Sequence, residues 1–150
     1  MTPALRISTD RRELDVALIH RYLADESYWA RSIPRDILHR ALQHSLCFGG
    51  FLGSEQVAFA RVVTDHATYA ALLDVFVVQA HRGQGHAQTL LTAVMAHPDL
   101  QTLRRFLLTT ADAHALYDKF GFTPLAAADR HMERYDPTLY ARMANSDVSE

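Results

Sequence analysis

Hydrophobic and polar positions change period several times along the chain. Leu5–Ser8 has the length of a short first strand. A helix is predicted over Arg12–Ala24, with Leu14, Leu18 and Tyr22 on one face and Thr9 or Asp10 as its N-cap. Asp25-Glu26-Ser27-Tyr28-Trp29 breaks that period. Pro34 suits the first turn of a second helix, whose apolar side would carry Ile37, Leu38, Ala41 and Leu42.

The period then shortens. Leu46–Leu52, Val57–Val63 and Tyr69–Val78 are apolar or β-branched runs, separated by Gly53-Ser54-Glu55 and by Thr64-Asp65-His66. Two successive antiparallel hairpins are the simplest reading. Helical spacing returns at Gln88–Met95, with Leu90, Leu91, Val94 and Met95 facing the core and Pro98 closing the element. Leu103–Thr109 reads as another strand. Asp112 is placed to cap a short helix holding Leu116, Tyr117 and Phe120, and Gly121 to end it in a left-handed conformation. His131–Tyr135 reads as a last strand, and the polar terminus Asn145–Glu150 is expected to fray. The outcome is one α/β (α+β mixed) domain over residues 1–150, with a core over about 5–135 and a central mixed, mostly antiparallel sheet flanked by helices.

Composition narrows the functions such a domain could serve. The chain is 49% hydrophobic, enough for a core, and its 15 basic and 17 acidic side chains leave a formal charge of -2. That balance gives no electrostatic case for nucleic-acid binding. No apolar stretch approaches the roughly 18–20 residues that cross a bilayer, and the first residues lack a signal-peptide core, so no membrane partner and a cytoplasmic location are expected. The single cysteine, Cys47, reads as a buried strand residue. Nine histidines include no His-Glu-x-x-His or similar framework, so no metal is expected.

The most informative segment is Asp74-Val-Phe-Val-Val-Gln-Ala-His-Arg-Gly-Gln-Gly-His-Ala87: an apolar strand, a turn with two glycines, then a helix. The first amides of a helix lack partners and its dipole favours an anion there, while glycine lets backbone approach a ligand. A phosphate or pyrophosphate would suit this cradle. Neither Gly-x-Gly-x-x-Gly nor Gly-x-x-x-x-Gly-Lys-Ser/Thr is present, which disfavours dinucleotide and nucleotide-triphosphate sites.

Arg82-Gly-Gln-Gly-His-Ala87, an Arg-x-x-Gly-x-Ala arrangement, together with Tyr117-Asp-Lys-Phe-Gly-Phe122 downstream, resembles the GNAT superfamily of acyl-CoA-dependent N-acetyltransferases. The resemblance implies the GNAT fold, acetyl-CoA as acyl donor and an unidentified amine as acceptor. It implies that Arg82, Gly83, Gln84, Gly85, His86 and Ala87 hold the pyrophosphate, mainly through backbone amides. It also implies that Val77 and Val78 lie where two strands splay and backbone groups meet the pantetheine arm. Tyr117 matches the family tyrosine near the cofactor sulfur, where it would donate a proton or hydrogen bond to the departing thiolate. A homodimer is a further family expectation. The family's frequent asparagine is missing from Thr109-Thr-Ala-Asp112, which removes one expected side-chain contact to the cofactor.

N-acyl transfer also needs a neutral amine, so a proton must leave it. Asp74 is the best nearby carboxylate candidate for the base, with a strand-anchoring ion pair as its alternative, and Glu26 is a second candidate. Glu26, Tyr28 and Trp29 are expected to face the acceptor, with Asp65 and Tyr69 bordering the pocket. His81 and His86 flank the pyrophosphate turn, and His114 is close to Tyr117 in sequence only. The competing function is a noncatalytic acyl-CoA-binding or sensor protein, which would bind the donor without acceptor-dependent turnover.

Overall fold

In the computed structural model, which describes residues 4–148, five strands lie side by side in sequence order. They are β1 (Arg6–Ser8), β2 (Leu46–Leu52), β3 (Glu55–Thr64), β4 (Tyr69–Val77) and β5 (Arg105–Leu108). β1 through β4 pair antiparallel, as short connections between β2, β3 and β4 require. β5 runs parallel to β4, and the crossover that makes this possible is helix α3 (His86–Ala96).

Alternation along the strands sends successive residues to opposite faces, and each face meets different helices. Ala58, Ala60 and Val62 of β3 join Leu90, Leu91 and Val94 of α3, together with Tyr117 of α4 (His114–Asp118). Cys47, Phe59 and Phe76 face the other way, onto Ile19 and Leu23 near α1 (Val16–Arg21) and onto Leu38 and Leu42 of α2 (Arg35–Gln43). Burial raises the Cys47 thiol to about 11.

The first predicted helix is divided. Asp10 does cap, but it caps a single 3-10 turn over Arg11–Glu13, accepting from the Arg12 amide. Asp15 then caps α1, accepting from Leu18 N at 3.0 Å, and one wide turn over Tyr22–Glu26 carries the chain to Ser27. Two aspartates five residues apart each offer the backbone a cap, so one long helix becomes two short ones.

Two further expectations need correction. Asp112 does not cap α4. The Ala113 amide instead donates to Thr110 Oγ1 at 3.1 Å, and Gly121, at φ 89°, ends the segment as expected. His131–Tyr135 forms no strand, because among the described residues its backbone finds no ladder partner. The terminus expected to fray begins within a helix: α5 runs Leu139–Val148, opened by an Asp136–Arg142 ion pair at 2.6 Å and packed on the core through Tyr140. Ser149 and Glu150, at the end of the expected frayed tail, lie outside the described residues. Among the described residues no helix is long and apolar enough to cross a membrane.

Candidate active site

β4 and β5 pair from Tyr69↔Arg105 to Leu72↔Leu108 and then separate. The cause lies in β4. Between the pairs Arg61↔Leu73 and Phe59↔Phe76, β3 spends one residue and β4 spends two, Asp74 and Val75. This bulge places Asp74 at φ 56°, a left-handed conformation that aspartate tolerates better than most residues. A bulge bends its strand, and here a cleft of about 580 Å³ opens between β4 and the residues following β5. Leu72, Asp74, Val75, Leu108, Thr110 and Tyr117 line it, and Tyr28 and Trp29 wall its mouth.

Asp74 is 7% exposed, and a charge so buried needs partners. Trp29 Nε1 donates to Oδ1 at 2.8 Å, and Arg61 Nε donates to Oδ2 at 2.7 Å. The Arg61 guanidinium also donates to Ser45 Oγ at 3.1 Å. Both carboxylate oxygens are engaged, so Asp74 is an ion-paired anchor of the bulge rather than a free carboxylate poised for an amine proton. Arg61 and Ser45 were missing from the residues expected at the site. The signal was an arginine inside the otherwise apolar run Val57–Val63, since a charge on a buried strand calls for a buried partner.

The segment after α1 crosses the cleft mouth. Ser27 is buried; its hydroxyl donates to Leu23 O at 2.7 Å and accepts from Ala30 N at 3.0 Å. This fixes Tyr28 and Trp29, whose rings meet edge to face at 5.0 Å. Trp29 reaches β4 through Asp74, while the Tyr28 hydroxyl accepts from Ala111 N at 2.9 Å on the opposite wall. The two aromatic residues therefore tie both sides of the cleft together.

Tyr117 sits at the cleft floor, 9% exposed. Burial pushes its phenol up to about 12, with the nearby Tyr28 and Asp112 adding to the shift. The group keeps its proton at neutral pH and is suited to donating rather than accepting one. Tyr69 lines the outer wall. Glu26 and Asp65 do not line the cleft. Glu26 is exposed at the end of its turn, and Asp65 is spent on the β3–β4 connection. The Thr68 hydroxyl and the amides of Ala67, Thr68 and Tyr69 donate to Asp65, and these bonds hold its carboxyl well below the usual range. His114 faces a neighbouring groove of about 420 Å³ that shares Tyr117 with the cleft.

At its other end β4 leads into the glycine turn. Gly83 and Gly85 sit at φ 78° and 80°, and the space a Cβ would enter is open at both. Gly85 is the N-cap of α3 and has no side chain to cap it, so the first amides of the helix face outward unprotected. Gln84 is exposed, and Ala87 is half-buried in the first turn of α3. His86 turns inward, with Nε2 enclosed and without a hydrogen-bond partner, so only its backbone can serve an anion at the turn. The Arg82 side chain is committed elsewhere, donating from Nε to Val77 O at 3.0 Å and from Nη2 to the Tyr22 hydroxyl at 2.7 Å. Tyr22 in turn stacks on Phe76 at 3.9 Å. Val78 N donates to Val57 O at 2.9 Å, which turns the amide of Val77 toward the side where β5 has parted. Of the two valines expected to meet the cofactor, only Val77 keeps its amide on that side. Among the described residues no group of three His, Cys, Asp or Glu is arranged to hold a metal ion.

Comparison with known proteins accords with this geometry. The sequence model of the Acetyltransferase (GNAT) family matches residues 6–122. A candidate acetyltransferase of Gibberella zeae is 32% identical over 136 residues, spanning 75% of each chain. A crystal structure of a candidate GNAT-family acetyltransferase from Xanthomonas campestris pv. campestris is 55% identical; the match covers 94% of this chain and 99% of that one, with a TM-score of 0.91. A GNAT family acetyltransferase from Elizabethkingia anophelis, solved with acetyl-CoA bound, shares the fold at 15% identity and a TM-score of 0.62, over 88% of each chain.

Proposed function

The chain belongs to the GNAT acetyltransferase family, and from that premise we propose that it transfers an acetyl group from acetyl-CoA to a primary amine of a small molecule or peptide, by direct attack in a ternary complex. The observation that carries this reading is a continuous path along β4. The path runs from the uncapped helix amides at Gly83–Ala87 to a cleft whose floor holds a buried phenol that is protonated at neutral pH. The acetyl-CoA found in the Elizabethkingia anophelis relative supports the same donor.

The residues present fit that donor. Two left-handed glycines with open space around them let a pyrophosphate approach backbone amides of Gly83, Gln84, Gly85, His86 and Ala87, where the α3 dipole favours its charge. The Arg82 guanidinium adds positive charge near the turn while bracing Val77 O and Tyr22. The Val77 amide faces the parted side of β4, in position to bond an extended amide-bearing arm. When bound, acetyl-CoA supplies a thioester whose carbonyl carbon accepts the amine nitrogen and whose sulfur departs as thiolate.

Tyr117 holds its proton at Oη and delivers it, or a hydrogen bond, toward the departing sulfur. Asp74, engaged by Arg61 and Trp29, positions the bulge that keeps the cleft open. The amine's proton then passes to water at the open mouth. Tyr28 and Trp29 give the acceptor an aromatic wall, which suits an amine carried on an apolar body.

The test is purified protein with acetyl-CoA and a panel of amines and peptides, followed by thiol release and by the mass of the acceptor. Acceptor-dependent release with an acetylated product is expected. Binding of acetyl-CoA with no turnover across the panel would favour the noncatalytic sensor instead, and failure to bind any acyl-CoA would remove both.

A further inference from the structure

The arginine that opens the glycine turn does not point along it. Arg82 donates from Nε to Val77 O at 3.0 Å and from Nη2 to the Tyr22 hydroxyl at 2.7 Å, bridging 60 residues of chain. Both acceptors are neutral, and among the described residues no carboxylate pairs with this guanidinium. Arg82 is exposed, so hydrogen bonds rather than packing hold its side chain in place.

Tyr22 is the more consequential of its partners. It is buried, and its ring lies flat on Phe76 of β4, with centroids 3.9 Å apart. Its carbonyl accepts from Ser27 N at 2.9 Å and so closes the wide turn over Tyr22–Glu26. A single wide turn of this kind is frequent at functional sites. Ser27 in turn fixes Tyr28 and Trp29, and Trp29 bonds Asp74, which precedes Phe76 on the same strand. One chain of contacts therefore runs from the glycine turn, through Arg82 and Tyr22, to the aromatic wall of the cleft.

We infer that Arg82 and Tyr22 are positioning residues that couple the two ends of the site: an anion on the turn amides draws the guanidinium from Tyr22 and changes how Tyr28 and Trp29 are held. The inference rests on the proposed donor, whose pyrophosphate would bind beside Arg82. A guanidinium fork matches phosphate oxygens in pairs, and charge-assisted bonds of this kind are about twice as strong as neutral ones. Turning toward the anion is therefore favoured over two neutral oxygens. It also leaves the buried Tyr22 phenol without its donor, and that cost lowers the affinity for the anion. Removing the phenol's hydroxyl removes the cost, so the coupling can be read at the turn as well as at the wall.

Trp29 is the only tryptophan of the chain, so its fluorescence reports on the wall directly. The probe is the phosphoadenosine diphosphate half of coenzyme A, which carries the pyrophosphate but lacks the arm that would reach the cleft. Calorimetry measures its binding, and Trp29 emission is followed over the same titration, for the wild type, Tyr22→Phe and Arg82→Met. In the wild type the emission should change with the Kd that calorimetry gives. Tyr22→Phe keeps the stacked ring and should bind the probe at least about 5-fold more tightly, the lower end of ordinary coupling, while Trp29 stays silent. Arg82→Met, at an exposed position, should match the wild type by circular dichroism and also lose the Trp29 response. Probe binding with no change at Trp29 in the wild type would overturn the inference. So would a Tyr22→Phe protein with wild-type affinity and response. A wild type that binds neither the probe nor coenzyme A would remove the donor reading, and the inference with it.

Discussion

Replacing Asp74 separates the two roles open to that carboxylate. Its side chain accepts from Arg61 at 2.7 Å and Trp29 at 2.8 Å, and its backbone stands at φ 56°. Asp74→Asn can keep the Trp29 bond, but its amide nitrogen or neutral oxygen cannot match the Arg61 charge. Leaving one member of a buried ion pair alone costs about 3–5 kcal/mol, and the lower end applies here because the Arg61 side chain keeps 16% exposure and a bond to Ser45. Asp74→Ala also loses the Trp29 bond and puts a Cβ residue with no local hydrogen bond in a left-handed conformation, adding about 1–2 kcal/mol. The order of stability should be wild type, then Asn, then Ala, with Ala about 4–6 kcal/mol below wild type, a large part of the reserve of a domain this size. Urea unfolding followed by tryptophan fluorescence and circular dichroism measures it. Arg61→Met combined with Asp74→Asn should recover stability relative to Asp74→Asn alone, because the isolated guanidinium is removed. In the pH profile of kcat/KM, any acidic limb should persist in Asp74→Asn. Two results would refute the anchor: Asp74→Ala within 1 kcal/mol of wild type, a margin far below the cost of an orphaned buried charge, or an acidic limb abolished in a fully stable Asp74→Asn protein.

Three further outcomes follow from the same geometry. Tyr117→Phe should lower turnover by about 100-fold, the usual range for a lost general acid, while leaving acetyl-CoA binding in place; unchanged turnover would contradict the assignment. Gly85→Ala should raise the KM for acetyl-CoA, because a Cβ at φ 80° is strained by about 1–2 kcal/mol although it meets no neighbour, and an unaffected KM would separate the turn from the donor site. Stability should fall at alkaline pH. Tyr117 is raised from 10.0 to about 12 and Cys47 from 9.0 to about 11, so the stability each supports is complete below its unfolded value and is lost as pH rises through its folded one. Urea midpoints measured from pH 8 upward should decline from near 9, and more steeply than in a Cys47→Ala, Tyr117→Phe variant. Equal slopes would show that neither group is responsible.

The sheet was legible because β2, β3 and β4 each announce themselves by composition and are joined by polar connections. The glycine turn was legible because its backbone needs are written in residue type. The bulge was not. Tyr69–Val78 reads as one unbroken strand, and its left-handed step at Asp74 depends on Arg61 and Trp29, which are distant in sequence. Only Arg61, a lone charge in an apolar run, pointed to it. The helix over Arg12–Ala24 failed for a local reason, because Asp15 supplies a second cap inside the periodic segment. His131–Tyr135 has the look of a strand, but pairing requires a neighbour, and none exists among the described residues. At the site, the family resemblance pointed to Tyr117 and chain position to Asp74, and both line the cleft. Those signals could not reveal that the carboxylate was already paired, or that the Arg82 side chain braces Val77 and Tyr22 instead of facing the turn.

The central claim is that one path along β4 joins a pyrophosphate cradle to the phenol of Tyr117. A crystal structure with coenzyme A bound tests it most directly. The account predicts pyrophosphate oxygens on the backbone amides of Gly83–Ala87 and the coenzyme sulfur within about 3.5 Å of the Tyr117 hydroxyl, close enough to receive its proton. A pyrophosphate bound away from that turn, or a sulfur that emerges on the far side of β5 out of reach of Tyr117, would contradict it.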